Sequence, residues 1–472
     1  MHPFRLGAAR PAAALLVLAA LAAAPLQAQD LAAVIDTSGT GSGPSAQPFG
    51  LAAEPGSGRL FVAIAGSLSS PNDAVAIVDP ALDQVVGEIQ VGLFPEEIAF
   101  LTDAQGRAVI GAVTNSTSGS VTLWDAATDQ VLGEVPLPDP FGFGSFPFGI
   151  CANETGDGFY VTTLDGSGSI HAVDATALAV DAARSLTAGF GSNGRLALVA
   201  GRLFLPGANF FKGAETGLEV LDLTTGAATE HYVVQDRLGE WAWPTAQEIL
   251  PLPDGRLALG GTGFDGRIFL TDADGRLLRT LRAEGTGGDS HGLGVSEDGS
   301  LLAVCDLLGN QLVLFDLLNE VEISRVDLFA LGGWREPNDA LFLGGRLYVT
   351  VQAQEAVLVF ENLPVPQPGN GFFGDLVLDP PDPPAGGTVH VDLQGAGPVA
   401  LVAATGDQPV TVQGVDLGIG PSPVLLATGQ DSLSLDLALP AFLQRGDLVW
   451  VQGVSDPLGN PRTTAPRVLA VQ

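Results

Sequence analysis

The residues with the most chemical reach are acids, amides and a histidine: Glu97, Glu248, Asp289, His291, Glu336, Asn338 and Asp339. They lie far apart along the chain but share one local frame, a short polar or proline segment running into an apolar strand. Examples are FPEEI (94–98), PTAQEI (244–249), DSHGL (289–293) and EPNDAL (336–341). Carboxylate and amide oxygens gathered at one point suit Ca²⁺ or another divalent cation. An ion held that way can polarise a carbonyl or activate water. His291, with Glu248 or Asp339, has the chemistry of a base or a ligand. Ser290 does not complete a triad with it, because adjacent strand residues point to opposite faces. A second set is aromatic: Trp241, Trp243, Trp334, Phe210 and Phe211, with Arg335 and the single lysine, Lys212. Rings beside arginine and carboxylates make a ligand- or protein-binding surface, or else pack loops onto the strands below.

A repeat must position these residues. SGSVTLWDAATDQVLGEVPL (118–137) copies NDAVAIVDPALDQVVGEIQV (72–91), with eight of twenty positions identical. The same beat, an apolar strand ending in an acid and then a turn, recurs at Asp79, Asp125, Asp174, Asp222, Asp272, Asp316 and Glu361. Each acid is placed to cap the turn that follows it. Another strand stands upstream in each unit, as in SGRLFVAIA (57–65), GDGFYVTTL (156–164) and GGRLYVTVQ (345–353). Seven units of four short antiparallel strands, here a to d, follow from this spacing, and such units are the mark of a β-propeller. The seventh unit lacks a fourth strand, because Pro364, Pro366 and Pro368 forbid a ladder. The orphan strand DLAAVIDTSG (30–39) is expected to supply it and close the ring.

In that architecture the d–a and b–c connections share one face, and the first residues of strand a line the channel. Glu97, Glu248, His291, Asn338 and Asp339 then fall in the channel, and the aromatic set falls on the d–a loop face of units 4–7. The run PFGFGSFPFG (140–149) reads as packing.

The second strands YVTT (160–163), AVTN (112–115) and YVTV (348–351) resemble the Tyr-Val-Thr-Asn motif of the YVTN family of bacterial β-propeller repeats. The resemblance spans roughly 30–365 and implies a seven-bladed, WD-repeat-like shape on a secreted or surface protein. It implies no particular reaction. REPNDALFLGGRLYV (335–349) also resembles a segment of the gluconolactonase group, six-bladed enzymes with a channel metal. By that likeness Asn338 would touch metal or substrate.

Residues 1–29 read as a secretory signal: two arginines, the apolar run PAAALLVLAALAAAP and a small-residue cleavage site near Ala28. No lipid-anchor cysteine and no membrane-length apolar run follow. The formal net charge of −33 repels phosphate backbones, which argues against nucleic acid as a partner. Cys151 and Cys305 fall three units apart and are read as small buried residues rather than a disulfide. After a Pro/Gly linker (366–374), some seven alternating strands in 375–472 suggest a β-sandwich. The expectation is therefore an all-β protein: a signal peptide (1–29), a seven-bladed β-propeller (30–365) closed by an N-terminal strand, and a C-terminal β-sandwich. Its function is read as binding a protein or glycan, as a monomer, through the d–a face. The alternative is a metal-dependent hydrolase or lactonase with a divalent ion in the channel.

Overall fold

The computed structural model describes residues 30–364 apart from 190–191, 210–214, 232–244, 263–266 and 283–288, and beyond 364 the backbone of strands within 377–470. The leader therefore lies outside the described residues. The chain divides into one compact unit over Gln27–Pro364 and another that holds Val365–Gln472. Apart from a helical turn at Leu328–Gly332 and a 3₁₀ turn at Gln352–Gln354, the described elements are strands. No helix among the described residues is long and apolar enough to cross a membrane.

In the larger unit each repeat folds into antiparallel strands in sequence order. Unit 1 is Pro48–Ala53, Leu60–Ser67, Ser70–Asp79 and Gln84–Gln90, and unit 2 is Pro95–Thr102, Ala108–Asn115, Ser120–Asp125 and Gln130–Pro136. The last sheet is Pro337–Leu343, Arg346–Val351 and Ala356–Glu361, with Asp30–Asp36 paired antiparallel to the third of these. The orphan strand thus adds where the missing strand was expected. Units 5 and 6 do not form separate sheets. Gly261 pairs with Ser290 and Thr262 with Asp289, which joins them into one eight-stranded sheet. Gly260 permits this, since a Cβ there would sit 2.5 Å from Ser290 O.

The burial pattern explains the composition of the strands. Second and third strands such as Leu301–Asp306 are buried at every position, so they are apolar runs rather than alternations. Outer strands such as Gln84–Gln90 are exposed at every second residue. Apolar clusters fill the space between consecutive units: units 1 and 2, 2 and 3, 3 and 4, 4 and 5, 5 and 6, 6 and 7, and 7 and 1. Phe61 of unit 1, for example, stacks on Trp124 of unit 2 with centroids 6.0 Å apart. The innermost strands also touch in succession, and Pro337–Leu343 returns to Pro48–Ala53.

Arginines at the start of second strands clasp neighbouring units at the rim. Arg59 reaches Asp129 (2.7 Å), Arg202 reaches Asp274 (2.7 Å), Arg256 reaches Glu320 (2.7 Å) and Arg346 reaches Asp83 (2.7 Å). The strand-end acids cap turns: Asp79 accepts from Ala81 N (2.8 Å), Asp174 from Thr176 N (2.8 Å) and Asp316 from Leu318 N (2.8 Å).

In the second unit, two pairs of strands expected as separate run on continuously, as Thr388–Ala404 and Val424–Ala438. They pair with each other, and the ladder shifts register between Gln394 and Pro398. Gly395 and Gly397 lie within that irregularity.

Candidate functional site

Bulges at the start of the innermost strands build the channel. Glu96 and Glu97 both oppose Thr114, Phe148 and Gly149 oppose Thr162, and Asn338 and Asp339 oppose Thr350. A bulge frees a backbone N–H from the ladder and re-aims side chains. The threonine hydroxyl takes the freed N–H and passes its own proton to the next unit. Thr114 accepts from Glu97 N (3.1 Å) and donates to Phe148 O (2.8 Å). Thr162 accepts from Gly149 N (3.1 Å) and donates to Gly194 O (2.8 Å). Thr350 accepts from Asp339 N (2.9 Å) and donates to Phe49 O (2.9 Å). These are the threonines of AVTN, YVTT and YVTV.

Glu97, Glu248 and Asp339 converge, and they converge on Arg195. Its Nη2 lies 2.5 Å from Glu97 Oε1 and 2.9 Å from Asp339 Oδ2, and its Nη1 lies 2.9 Å from Glu248 Oε2. Arg195 occupies the break between two short strand pieces of unit 4, Ser192–Asn193 and Ala197–Val199. In register it matches Glu97, Glu248 and Asp339. Reading the channel for acids, amides and histidine passed over it, although GSNGRL (191–196) carries the only arginine or lysine in the seven strand-a starts. Glu96, beside Glu97 and buried, was also passed over.

Four carboxyls around one guanidinium are more acid than it neutralises. Burial, with the Glu97 charge added, pushes Glu96 well above the usual carboxylate range. Burial raises Glu97 to about 7 against the pull of Arg195, and it raises Glu248 as well. Arg195 stays charged, because Asp339, Glu248 and Glu97 outweigh its own burial. Glu96 Oε2, Glu248 Oε1 and Asn338 Nδ2 are buried without a hydrogen-bond partner among the described residues.

His291 lies beside this cluster, edge-on to Phe49 with centroids 6.0 Å apart, and Phe49 also meets Phe148. Burial and then Arg195 lower its pKa to about 4, so the ring is neutral. Ser290 Oγ donates to Arg267 O (3.0 Å), so its proton is engaged away from His291. Burial also pushes the Cys305 thiol up. Both cysteines are free, and Cys151 is only partly buried.

The aromatic set is changed by the structure. Trp241, Trp243, Phe210 and Phe211 lie outside the described residues, with Lys212 and the Asp289 side chain. Trp334 is half-buried and packs against the core between units 6 and 7, so it is no free binding ring. Arg335 is exposed and lies over Phe329, 5.0 Å from the ring centroid. Glu336 is exposed at the mouth with φ 57°, outside the channel cluster. Conversely, Phe141 (54 %) and Phe143 (83 %), read as packing, stand in solvent.

The fold is all-β, built from small antiparallel sheets around a buried ionic cluster. No known family matches the sequence, and no curated protein matches it. Among solved structures it is similar to a chain of Kuenenia stuttgartiensis hydrazine synthase, at TM-score 0.55 and 16% identity, over 69% of this chain and 98% of that one. As 1058 solved chains match, the likeness speaks for the fold and not for an activity.

Proposed function

We propose that the chain is a secreted, seven-bladed β-propeller of the YVTN type with a C-terminal β-sandwich, and that it is a binding module acting through its d–a loop face. The observation that carries this is Arg195. The hydrolase alternative needs Glu97, Glu248 and Asp339 to hold a divalent ion with an open position for water. All three are instead within 2.9 Å of one guanidinium. The centre of the channel then serves as a strut between units 2, 4, 5 and 7. Among the described residues, large apolar side chains stand in solvent in the d–a connections, as at Phe141, Phe143 and Phe329.

The test is a melt of the purified chain with Ca²⁺, Mg²⁺, Zn²⁺ and a chelator, beside assays on lactones and esters. Unchanged melting and no turnover are expected. An ion-dependent rise in Tm together with ion-dependent hydrolysis that Glu248→Gln abolishes would reverse the assignment.

A further inference from the structure

Both ends of the sheets in units 1–3 are net acidic, but only one of them carries bases. The a–b and c–d turns carry Glu54, Arg59, Asp83, Asp103, Arg107, Asp129, Glu154 and Asp157. The connections at the other end, all described between 37 and 168, carry only Asp139 and Asp165, and no base. In the turns and loops of units 1–3 that end also exposes more large apolar side chains, Leu68, Leu93, Phe141, Phe143 and Phe146 against Leu82 at the other. The exposed phenylalanines among the described residues, Phe141, Phe143, Phe146 and Phe329, all lie in d–a connections.

The connection 137–146, LPDPFGFGSF, is a rigid projection. Its ends are pinned: Leu137 N donates to Gly119 O (2.8 Å), and Phe146 O accepts from Leu164 N (2.9 Å). Its tip is organised by one carboxylate. Asp139 accepts from Gly144 N (2.7 Å), Gly142 N (2.7 Å) and Phe141 N (3.2 Å), and these N–H groups hold it below the usual carboxylate range. Gly144, at φ 105°, takes a backbone conformation closed to other residues. The result holds Phe141 and Phe143 out in water. Leu93, in the preceding d–a connection, is 41 % exposed, and its carbonyl accepts from Thr117 N (3.2 Å). Aromatic rings carried on a loop whose backbone is already held by Asp139 cost less entropy to bind than rings on an unbraced loop.

We infer that 137–146 is a recognition finger for a protein segment that presents apolar side chains flanked by lysine or arginine. The rings supply the apolar contact. The partner's sign follows from charge: the chain carries −33, and this end of units 1–3 has acids without bases. A cationic segment is drawn in, whereas a second copy or an anionic membrane is repelled.

This rests on the binding-module reading and narrows it. The probes are a leucine–lysine amphipathic peptide, its leucine–glutamate counterpart and zwitterionic lipid vesicles, each titrated against the full chain, with sedimentation to follow self-association. The leucine–lysine peptide is expected to bind, and Phe141→Ser/Phe143→Ser is expected to weaken it about tenfold or more at unchanged net charge and Tm. Equal binding by the double variant, equal binding of the glutamate peptide, or vesicle binding or self-association that depends on the two rings would each overturn the inference. None of those outcomes touches the ion and hydrolysis test, so the two readings fail separately.

Discussion

Asp339 and Leu51 are 288 residues apart in sequence, yet Leu51 N donates to Asp339 Oδ2 at 2.8 Å. The same oxygen lies 2.9 Å from Arg195 Nη2. One carboxylate of the last unit therefore holds the backbone of the first unit and the arginine of the fourth. Its own N–H goes to Thr350, whose hydroxyl returns to Phe49 O in the first unit. The last unit is thus tied to the first through these bonds as well as through the strand Asp30–Asp36, which pairs with Ala356–Glu361.

Replacing Asp339 separates these roles. Asp339→Ala removes both bonds and leaves Leu51 N buried without its acceptor, while Arg195 keeps Glu97 and Glu248, so it should cost about 2–3 kcal/mol. Asp339→Asn keeps an oxygen for Leu51 N and loses only the charge, so it should cost roughly half as much. Urea unfolding of the two variants measures this. Equal losses would mean that the charge carries the whole effect and the bond to Leu51 N none of it.

Stability should fall as pH rises from mildly acid to mildly alkaline. Folding raises Glu97 from 4.5 to about 7, so its contribution is fully present below 4.5 and is lost as pH climbs through about 7. That shift corresponds to on the order of 3 kcal/mol. Glu96 and Glu248 are raised too and carry the decline upward. Acids held low by hydrogen bonds in their turns act in the opposite sense, Asp125 through the Thr128 hydroxyl first and Asp139 through backbone N–H groups, and their contribution is lost as pH falls. The optimum therefore lies at mildly acid pH. Melting curves across pH should show it, and Glu97→Gln should flatten the decline. A Tm that climbs steadily across the same range would contradict the cluster's titration.

Much of this was legible because the repeat is a register. Once Asp79 and Asp125 were aligned, Glu97, Glu248 and Asp339 fell at one position, and the structure brings them together. Arg195 occupies the same position in unit 4 and was missed because the chemistry sought was that of metal ligands, which excludes a guanidinium. The bonds of Thr114, Thr162 and Thr350 were hidden for a different reason: their acceptors are carbonyls of the next unit, which no side-chain pattern records. Trp334 looked free because loop position says nothing about which way a ring folds back. Phe143 looked buried because composition cannot show that Asp139 holds its loop upright.

The threonine links predict unequal costs for one substitution at adjacent sites. Thr162→Val keeps the shape but leaves Gly149 N and Gly194 O without the hydroxyl between them, at a cost of about 1–3 kcal/mol. Thr163 donates only to Asp165 (3.1 Å) within its own loop, so Thr163→Val should cost less. Denaturant midpoints of the two variants decide it, and a larger loss at Thr163 would remove the threonine bridge from the account of how units adhere.

The closing strand makes the sharpest single comparison. Asp30–Asp36 alternates: Val34 is 42 % exposed, while Ile35 is 1 % exposed and packs in the cluster with Leu60, Val62, Val357 and Val359. Ile35→Asp places an unpaired carboxylate between the first and last units and should cost about 3 kcal/mol or more. Val34→Asp puts the same charge in water and should shift stability by about 0.5 kcal/mol or less. If the strand only rests on the edge of Ala356–Glu361 without sealing the interface, the two variants will melt together. If it seals the ring, Ile35→Asp alone will lower Tm, and the exposed edge it loosens will show as aggregation on heating.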